Sequence, residues 1–237
     1  MNNIFDSINI IHYIPYKDRL PDLIYQINNT GIKDHPNLHW EYTFKNVFED
    51  ILYSNIKRHS GINHNNFNLA MAHYNIIKSN YELGREKILV LEDDICFHKD
   101  FKYYISNIPE NADLVMFDYN GSSVKNYNDS KDLYIPFVNE PYYQSGAYFM
   151  NRRYMNHYLK KQEFYLCVSD YYLSKHSKDD LNRYITNVPT VLQVPYDARM
   201  SNNDCSSGIY FYNNIGINYN DYLLTDNQKN KFNNFKL

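Results

Sequence analysis

Apolar positions along the chain fall into segments of two different periods. Ser7 to Tyr13 carries the β-branched Ile8, Ile10 and Ile11 and stops before Pro15, which predicts a buried strand. Asp18 then stands where a helix cap is expected. From about Arg19 to Asn29, Leu20, Leu23, Ile24 and Ile27 recur at helical spacing, with Pro21 in the first turn and Gly31 as the stop. His39 to Phe44 alternates polar and apolar residues as a second strand, so the opening reads as a βαβ unit.

A longer helix is predicted over Asn65 to Tyr81. Phe67, Ala70, Met71, Tyr74 and Ile77 form its stripe, which Leu69, Ala72 and Ile76 widen until most of the helix is expected to be covered. Gly84 breaks the chain. Glu86 to Leu91 follows with the continuous run Ile88-Leu89-Val90-Leu91, as expected of a central strand covered on both faces. Further strands are predicted at Asp113 to Phe117, at Leu133 to Val138 (an edge strand, because of Pro136), at Ser145 to Met150 and at Thr190 to Val194. Asn151 to Lys161 reads as a helix with Asn151 as its cap. The alternation argues for one α/β domain over residues 1–211. Residues 212–237 form a polar C-terminal tail, with one helix around Thr225 to Phe235.

Composition narrows the function classes. A net charge of -3 with no basic stripe gives no reason to expect a nucleic-acid partner. Cys96, Cys167 and Cys205 are far apart and lack metal-ligand spacing, so neither a disulfide framework nor a cysteine metal site is expected. Met1 to Asn9 contains Asp6 and no basic run before an apolar stretch, which argues against a signal peptide, and no apolar run approaches the roughly 20 residues that span a bilayer. These features lead to the expectation of a soluble cytoplasmic protein and leave peripheral membrane association open. The 26 tyrosines accompany abundant Asn, Ile and Lys, which favours compositional bias over a sugar-lined cleft as their cause.

The sharpest chemical feature is Leu91-Glu92-Asp93-Asp94 at the end of the apolar strand. Three consecutive carboxylates in a partly shielded place repel one another, and a hard divalent cation such as Mn²⁺ or Mg²⁺ relieves that repulsion. Ligands of open α/β sheets collect at the carboxyl ends of strands, so position and chemistry agree. Glu92, Asp93 and Asp94 are therefore the expected metal residues. A solvated acidic turn is the plain alternative.

Gly61 to Phe101 resembles glycosyltransferase family 25, the lipopolysaccharide-type and collagen-type galactosyltransferases. The family pattern has a buried helix with a Ser-His pair, then a strand ending in Leu-Glu-Asp-Asp. Here the helix carries Ala72-His73 and the strand runs Ile88 to Ile95, so the usual serine is replaced. Ile11-His12-Tyr13 through Arg19 is similar to the family's first nucleotide-side loop, and Asp113 to Asp118 to the strand after the acidic motif. Ser145 to Met150 resembles its Gly-x-Tyr segment, Ser169 to Leu173 its later acidic motif, and Cys205-Ser206-Ser207 a terminal serine patch.

The resemblance implies a GT-A-like nucleotide-sugar-binding fold, with a mixed, mostly parallel central sheet flanked by helices. It also implies metal-dependent, inverting transfer of a sugar, commonly galactose from UDP-galactose, to a glycan, lipopolysaccharide or protein hydroxyl. On that reading Tyr13, Arg19 and Asp93 face the donor nucleotide, Arg19 through phosphate. Asp170, set among Tyr171 and Tyr172, is the candidate general base. Gly146 and Tyr148 shape the acceptor or sugar pocket, and His73 orients the acidic loop from behind. Each has a structural alternative: a surface arginine for Arg19, a strand-end ring for Tyr13, a helix cap for Asp170, a core histidine for His73 and a close backbone approach for Gly146. A metal-dependent phosphatase or nucleotidyltransferase, or a carbohydrate-binding protein without activity, are the competing functions.

Overall fold

The computed structural model describes residues 4–14, 16–43, 64–118, 131–136, 145–160, 181–196, 212–213 and 215–234. Strand β1 (Ser7–Tyr13) leads through helix α1 (Leu20–Thr30) to β2 (Leu38–Thr43), and β1 and β2 pair in parallel. Gly31 takes a left-handed φ of 70°, ending α1 as its lack of a Cβ allows. Helix α2 (His64–Glu82) then feeds β3 (Lys87–Leu91), which pairs in parallel with the other side of β1. Next come β4 (Ile95–Phe97), α3 (Phe101–Ser106), β5 (Leu114–Met116), β6 (Tyr134–Pro136) and β7 (Ala147–Asn151). Helix α4 (Arg152–Lys160), β8 (Arg183–Thr186), β9 (Val191–Gln193) and α5 (Asp226–Asn233) follow, and short 3₁₀ turns lie at Ile32–Asp34 and Tyr219–Asp221.

Among the described residues the main sheet has seven strands in the order β2-β1-β3-β7-β5-β8-β6, and β4 pairs with β9 in a separate ribbon. Strands β2, β1, β3, β5 and β8 share one direction, while β7 and β6 run against it. The fold is thus mixed α/β with a mostly parallel central sheet, as expected. Pro136 lies on the sheet's outer strand, where its missing N–H is tolerated.

Side chains of β3 alternate between two cores. Ile88 and Val90 join Ile11, Met150 and helix residues Ile77, Tyr154 and Met155 on one face. Leu89 and Leu91 join Ile8, Ile10, Leu23, Ile27, Phe101 and Phe149 on the other. Because both faces are covered by helices, the strand needs an unbroken apolar run rather than alternation.

Several boundaries differ from the sequence expectation. Asp18 is exposed and does not cap α1. Arg19 occupies the N-cap position with no side-chain cap bond, because its guanidinium is drawn inward to the carboxylates described below. The buried stripe of α1 is Asp22, Leu23, Gln26, Ile27 and Thr30, while Ile24 is exposed. Polar residues take part of the expected apolar face because the C-terminal segment brings hydrogen-bond partners to them. Thr225 caps α5 in a capping box with Gln228, and Tyr212, Tyr222 and Phe232 enter the same core as α2 and α4. Asn151 caps α4 by accepting from the Tyr154 N–H at 2.9 Å. Strands β4 and β8 and helix α3 were not anticipated, being only three to six residues long.

Candidate functional site

The chain leaves β1 toward β2 on one side, while β3 lies on the other, so a switch in strand order falls between β1 and β3. Crevices at such points, beyond the carboxyl ends of the strands, are the ligand sites of open α/β sheets. His12 and Tyr13 end β1 at this place, and Glu92, Asp93 and Asp94 follow β3.

Asp93 is held on both oxygens. One accepts from His12 Nδ1 at 2.7 Å and from the Tyr13 backbone N–H at 2.9 Å, and the other accepts from Arg19 Nη1 at 2.8 Å. Burial pushes this carboxyl up, but the His12 hydrogen bond and the charge and hydrogen bond of Arg19 outweigh it and hold it below the ordinary carboxylate value.

Asp94 receives Arg19 Nη1 at 3.2 Å and Gln193 Nε2 at 3.3 Å. Burial, helped by the neighbouring Glu92 and Asp93 and opposed by Arg19 and Gln193, pushes its carboxyl up to about 7. Arg19 itself is buried, yet the two aspartates hold its guanidinium firmly in the charged form. Its Cζ lies 4.0 Å from the Tyr16 ring centroid and 5.5 Å from that of Tyr196. Its Nε is buried and has no acceptor among the described residues.

Glu92 turns the other way. Its Oε1 accepts from Ser145 Oγ at 2.6 Å and from His73 Nε2 at 3.2 Å, and His73 Nδ1 meets the Tyr148 hydroxyl at 2.9 Å. With Nε2 donating to the carboxylate and Nδ1 accepting from tyrosine, both His73 nitrogens are satisfied. The expected role of His73 behind the acidic loop and its plain reading as a bonded core histidine describe the same geometry.

The three acidic residues thus face different partners. The expectation is that Glu92, Asp93 and Asp94 are metal residues; both Asp93 oxygens and Glu92 Oε1 are engaged by protein donors at 2.6–3.2 Å, while Asp94 is held only by the longer contacts from Arg19 and Gln193 at 3.2 and 3.3 Å. Among the described residues no three His, Cys, Asp or Glu side chains converge as a metal site.

The remaining expected residues are placed as follows. Tyr13 contributes its backbone to Asp93, and its ring packs 5.0 Å from that of Tyr16. Tyr148 is fully buried, and burial raises its hydroxyl pKa well above the ordinary value, so it supports Glu92 through His73 rather than lining a pocket. Gly146 is a close backbone approach: a Cβ there would overlap the Asp118 carboxylate, and its carbonyl accepts the Glu92 N–H at 2.7 Å. Asp170 lies outside the described residues, as do Ser169 to Leu173 and Cys205 to Ser207. His12, Ser145 and Gln193 join the site without having been assigned a role from sequence. Only the position of His12 at a strand end beside Tyr13 hinted at one, since the partners of Ser145 and Gln193 come from distant strands.

A mostly parallel sheet with a buried arginine and paired carboxylates at its switch point defines an α/β protein with a polar cluster at the edge where ligands of such sheets collect. Residues 43–200 match the family described as glycosyltransferase family 25 (LPS biosynthesis protein), and the chain belongs to that family. The match contains Glu92, Asp93, Asp94, Gly146 and Tyr148, while His12 and Arg19 precede it. Among solved structures, the crystal structure of a glycosyltransferase involved in the glycosylation of the major capsid of PBCV-1 aligns at 12% identity and a TM-score of 0.38. That alignment covers 67% of this chain and 65% of the other. No curated protein matches. Among the described residues no helix is long and apolar enough to cross a membrane.

Proposed function

We propose that the chain is a metal-dependent glycosyltransferase of GT-A-like fold that moves a sugar, galactose from UDP-galactose on the family resemblance, to a hydroxyl of a glycan, lipopolysaccharide or protein with inversion. The observation that carries this reading is the Arg19–Asp93–Asp94 cluster at the switch point of a chain belonging to family 25.

Asp93 acts on this reading as an orienting anchor. Its bonds to His12, the Tyr13 N–H and Arg19 fix the loop after β1 against the loop after β3, so the arginine is placed before a donor arrives. On this reading Arg19, whose buried Nε has no acceptor among the described residues, keeps donor capacity for a diphosphate that reaches the guanidinium, and the charge of that diphosphate grows as the bond to the sugar breaks. Asp94 fits Mn²⁺ or Mg²⁺: burial and two neighbouring acids make its ionised form costly, and these cations commonly use one or two protein carboxylates together with phosphate oxygens and water. Such an ion, when bound, stabilises negative charge on the leaving diphosphate. Asp170 remains the proposed base that takes the acceptor proton.

The test is donor hydrolysis by the purified chain across UDP-, GDP- and CMP-sugars with Mn²⁺ or with EDTA. The reading expects slow hydrolysis of one nucleotide class that EDTA abolishes. Hydrolysis of generic phosphate esters in place of nucleotide sugars would move the chain to the phosphatase reading.

A further inference from the structure

Asp22 sits in the first turn of α1, one turn from Arg19, and its carboxylate is buried without a cationic partner in bonding range among the described residues. One oxygen accepts from the Tyr196 hydroxyl at 2.6 Å and from Asn227 Nδ2 at 2.7 Å, and the other accepts from Thr225 Oγ1 at 2.5 Å. Two of these donors belong to the start of α5 and its cap. The network continues through Gln228, whose Nε2 donates to the Tyr196 hydroxyl and to the Ile95 carbonyl, both at 3.2 Å. Gln228 Oε1 accepts from Gln26 Nε2 at 2.9 Å. Gln26 donates also to the Leu223 carbonyl and accepts the Phe97 N–H at 3.0 Å. Donors and acceptors balance, so the chain of bonds has one arrangement rather than several.

The consequence lies at Tyr196. Its hydroxyl is fixed by Asp22 and Gln228, and its ring stands beside the Arg19 guanidinium, 5.5 Å from Cζ. A buried acid on α1 costs stability unless it is satisfied, and here its satisfaction comes mainly from residues 225–227, outside the span that matches the family.

We infer that the C-terminal segment is part of the donor site: α5, through Asp22, Gln228 and Tyr196, positions Arg19 for a nucleotide diphosphate. This rests on the proposed donor role of Arg19. Tyr196 and Gln228 are positioning residues and make no contact with substrate.

The test is titration calorimetry with Mn²⁺, using UDP and uridine and, in parallel arms, GDP with guanosine and CDP with cytidine. It compares the full chain with Tyr196→Phe, which keeps the ring and removes the linking hydroxyl. Melting and near-ultraviolet circular dichroism establish that each variant is folded. Folded Tyr196→Phe is expected to bind the preferred diphosphate roughly tenfold more weakly, in the range found for outer-shell partners, with no change for the nucleoside. Loss confined to the diphosphate separates positioning of Arg19 from general loosening. Asn227→Ala, at an exposed position, gives a smaller loss of the same kind and serves if Tyr196→Phe does not fold. Diphosphate affinity unchanged in folded variants, or nucleoside affinity falling equally, overturns the inference and leaves the donor reading standing. Absence of diphosphate binding by the unaltered chain overturns both.

Discussion

Arg19 and Asp93 are 74 positions apart in the chain and meet at 2.8 Å, both buried, just beyond the ends of the paired first and third strands. The pair joins the start of α1 to the acidic turn after β3. Asp94 shares the same guanidinium nitrogen, so one buried arginine serves two carboxylates, and the second of them, Asp94, is the one pushed toward its protonated form.

Removing Asp93 leaves Arg19 and His12 without their shared acceptor. Breaking one side of a buried ion pair costs about 3–5 kcal/mol, and the remaining Asp94 contact brings Asp93→Ala toward the lower figure. Urea denaturation measures this. A loss no larger than that of an exposed pair, about 0–1 kcal/mol, would show that Asp93 is not an anchor.

Asp94 gives a pH dependence of definite sign. Its carboxyl is raised from 3.8 to about 7 in the folded chain, so the folded state keeps a proton that the unfolded state releases. Its contribution to stability is therefore fully present below 3.8, falls as pH rises through that window and is flat above about 7. Asp94→Asn removes this slope. With EDTA present, the melting temperature of the variant minus that of the unaltered chain should climb across the window and then level off. A difference independent of pH contradicts the assignment.

Glu92 and His73 belong to a support chain facing away from Arg19. His73→Phe strands the Tyr148 hydroxyl and takes one donor from Glu92, a loss of about 1–3 kcal/mol per unsatisfied buried group. Denaturation should show this loss while diphosphate affinity in the folded variant stays at the unaltered value. A large fall in affinity with little change in stability would place His73 in contact with ligand.

Gly146→Ala pushes a methyl into the Asp118 carboxylate and is expected to lower stability by about 1–3 kcal/mol, as overpacking does. Combined with Asp118→Ala, it should cost less than the two losses added, since the second change removes the overlap. Strict additivity in denaturant titrations would contradict the close approach.

How much was readable from sequence depended on where the partners lay. β1 was read at both of its limits, because its β-branched run ends in a proline. The central strand Lys87–Leu91 was placed within a residue, because burial on both faces leaves an uninterrupted apolar run. The acidic turn after it stood out for the same reason. The division of labour among its members did not, since it is set by His12, Ser145 and Gln193, which reach it from three other strands or their flanks. Asp22 and Gln26 fall outside the apolar stripe of Leu20, Leu23, Ile24 and Ile27. Nothing local announces that Thr225, Asn227 and Gln228, some 200 positions later, arrive to satisfy them.

The account rests on Arg19 and Asp94 as a phosphate and metal site, and calorimetric titration of the best-binding nucleotide sugar with Mn²⁺ tests it most directly. Arg19→Ala is expected to weaken binding by at least about tenfold, because truncating one partner of a buried charged hydrogen bond costs about 2–5 kcal/mol. Asp94→Ala should make the remaining affinity indifferent to replacing Mn²⁺ with EDTA. Undiminished, metal-dependent binding in both folded variants would contradict the account.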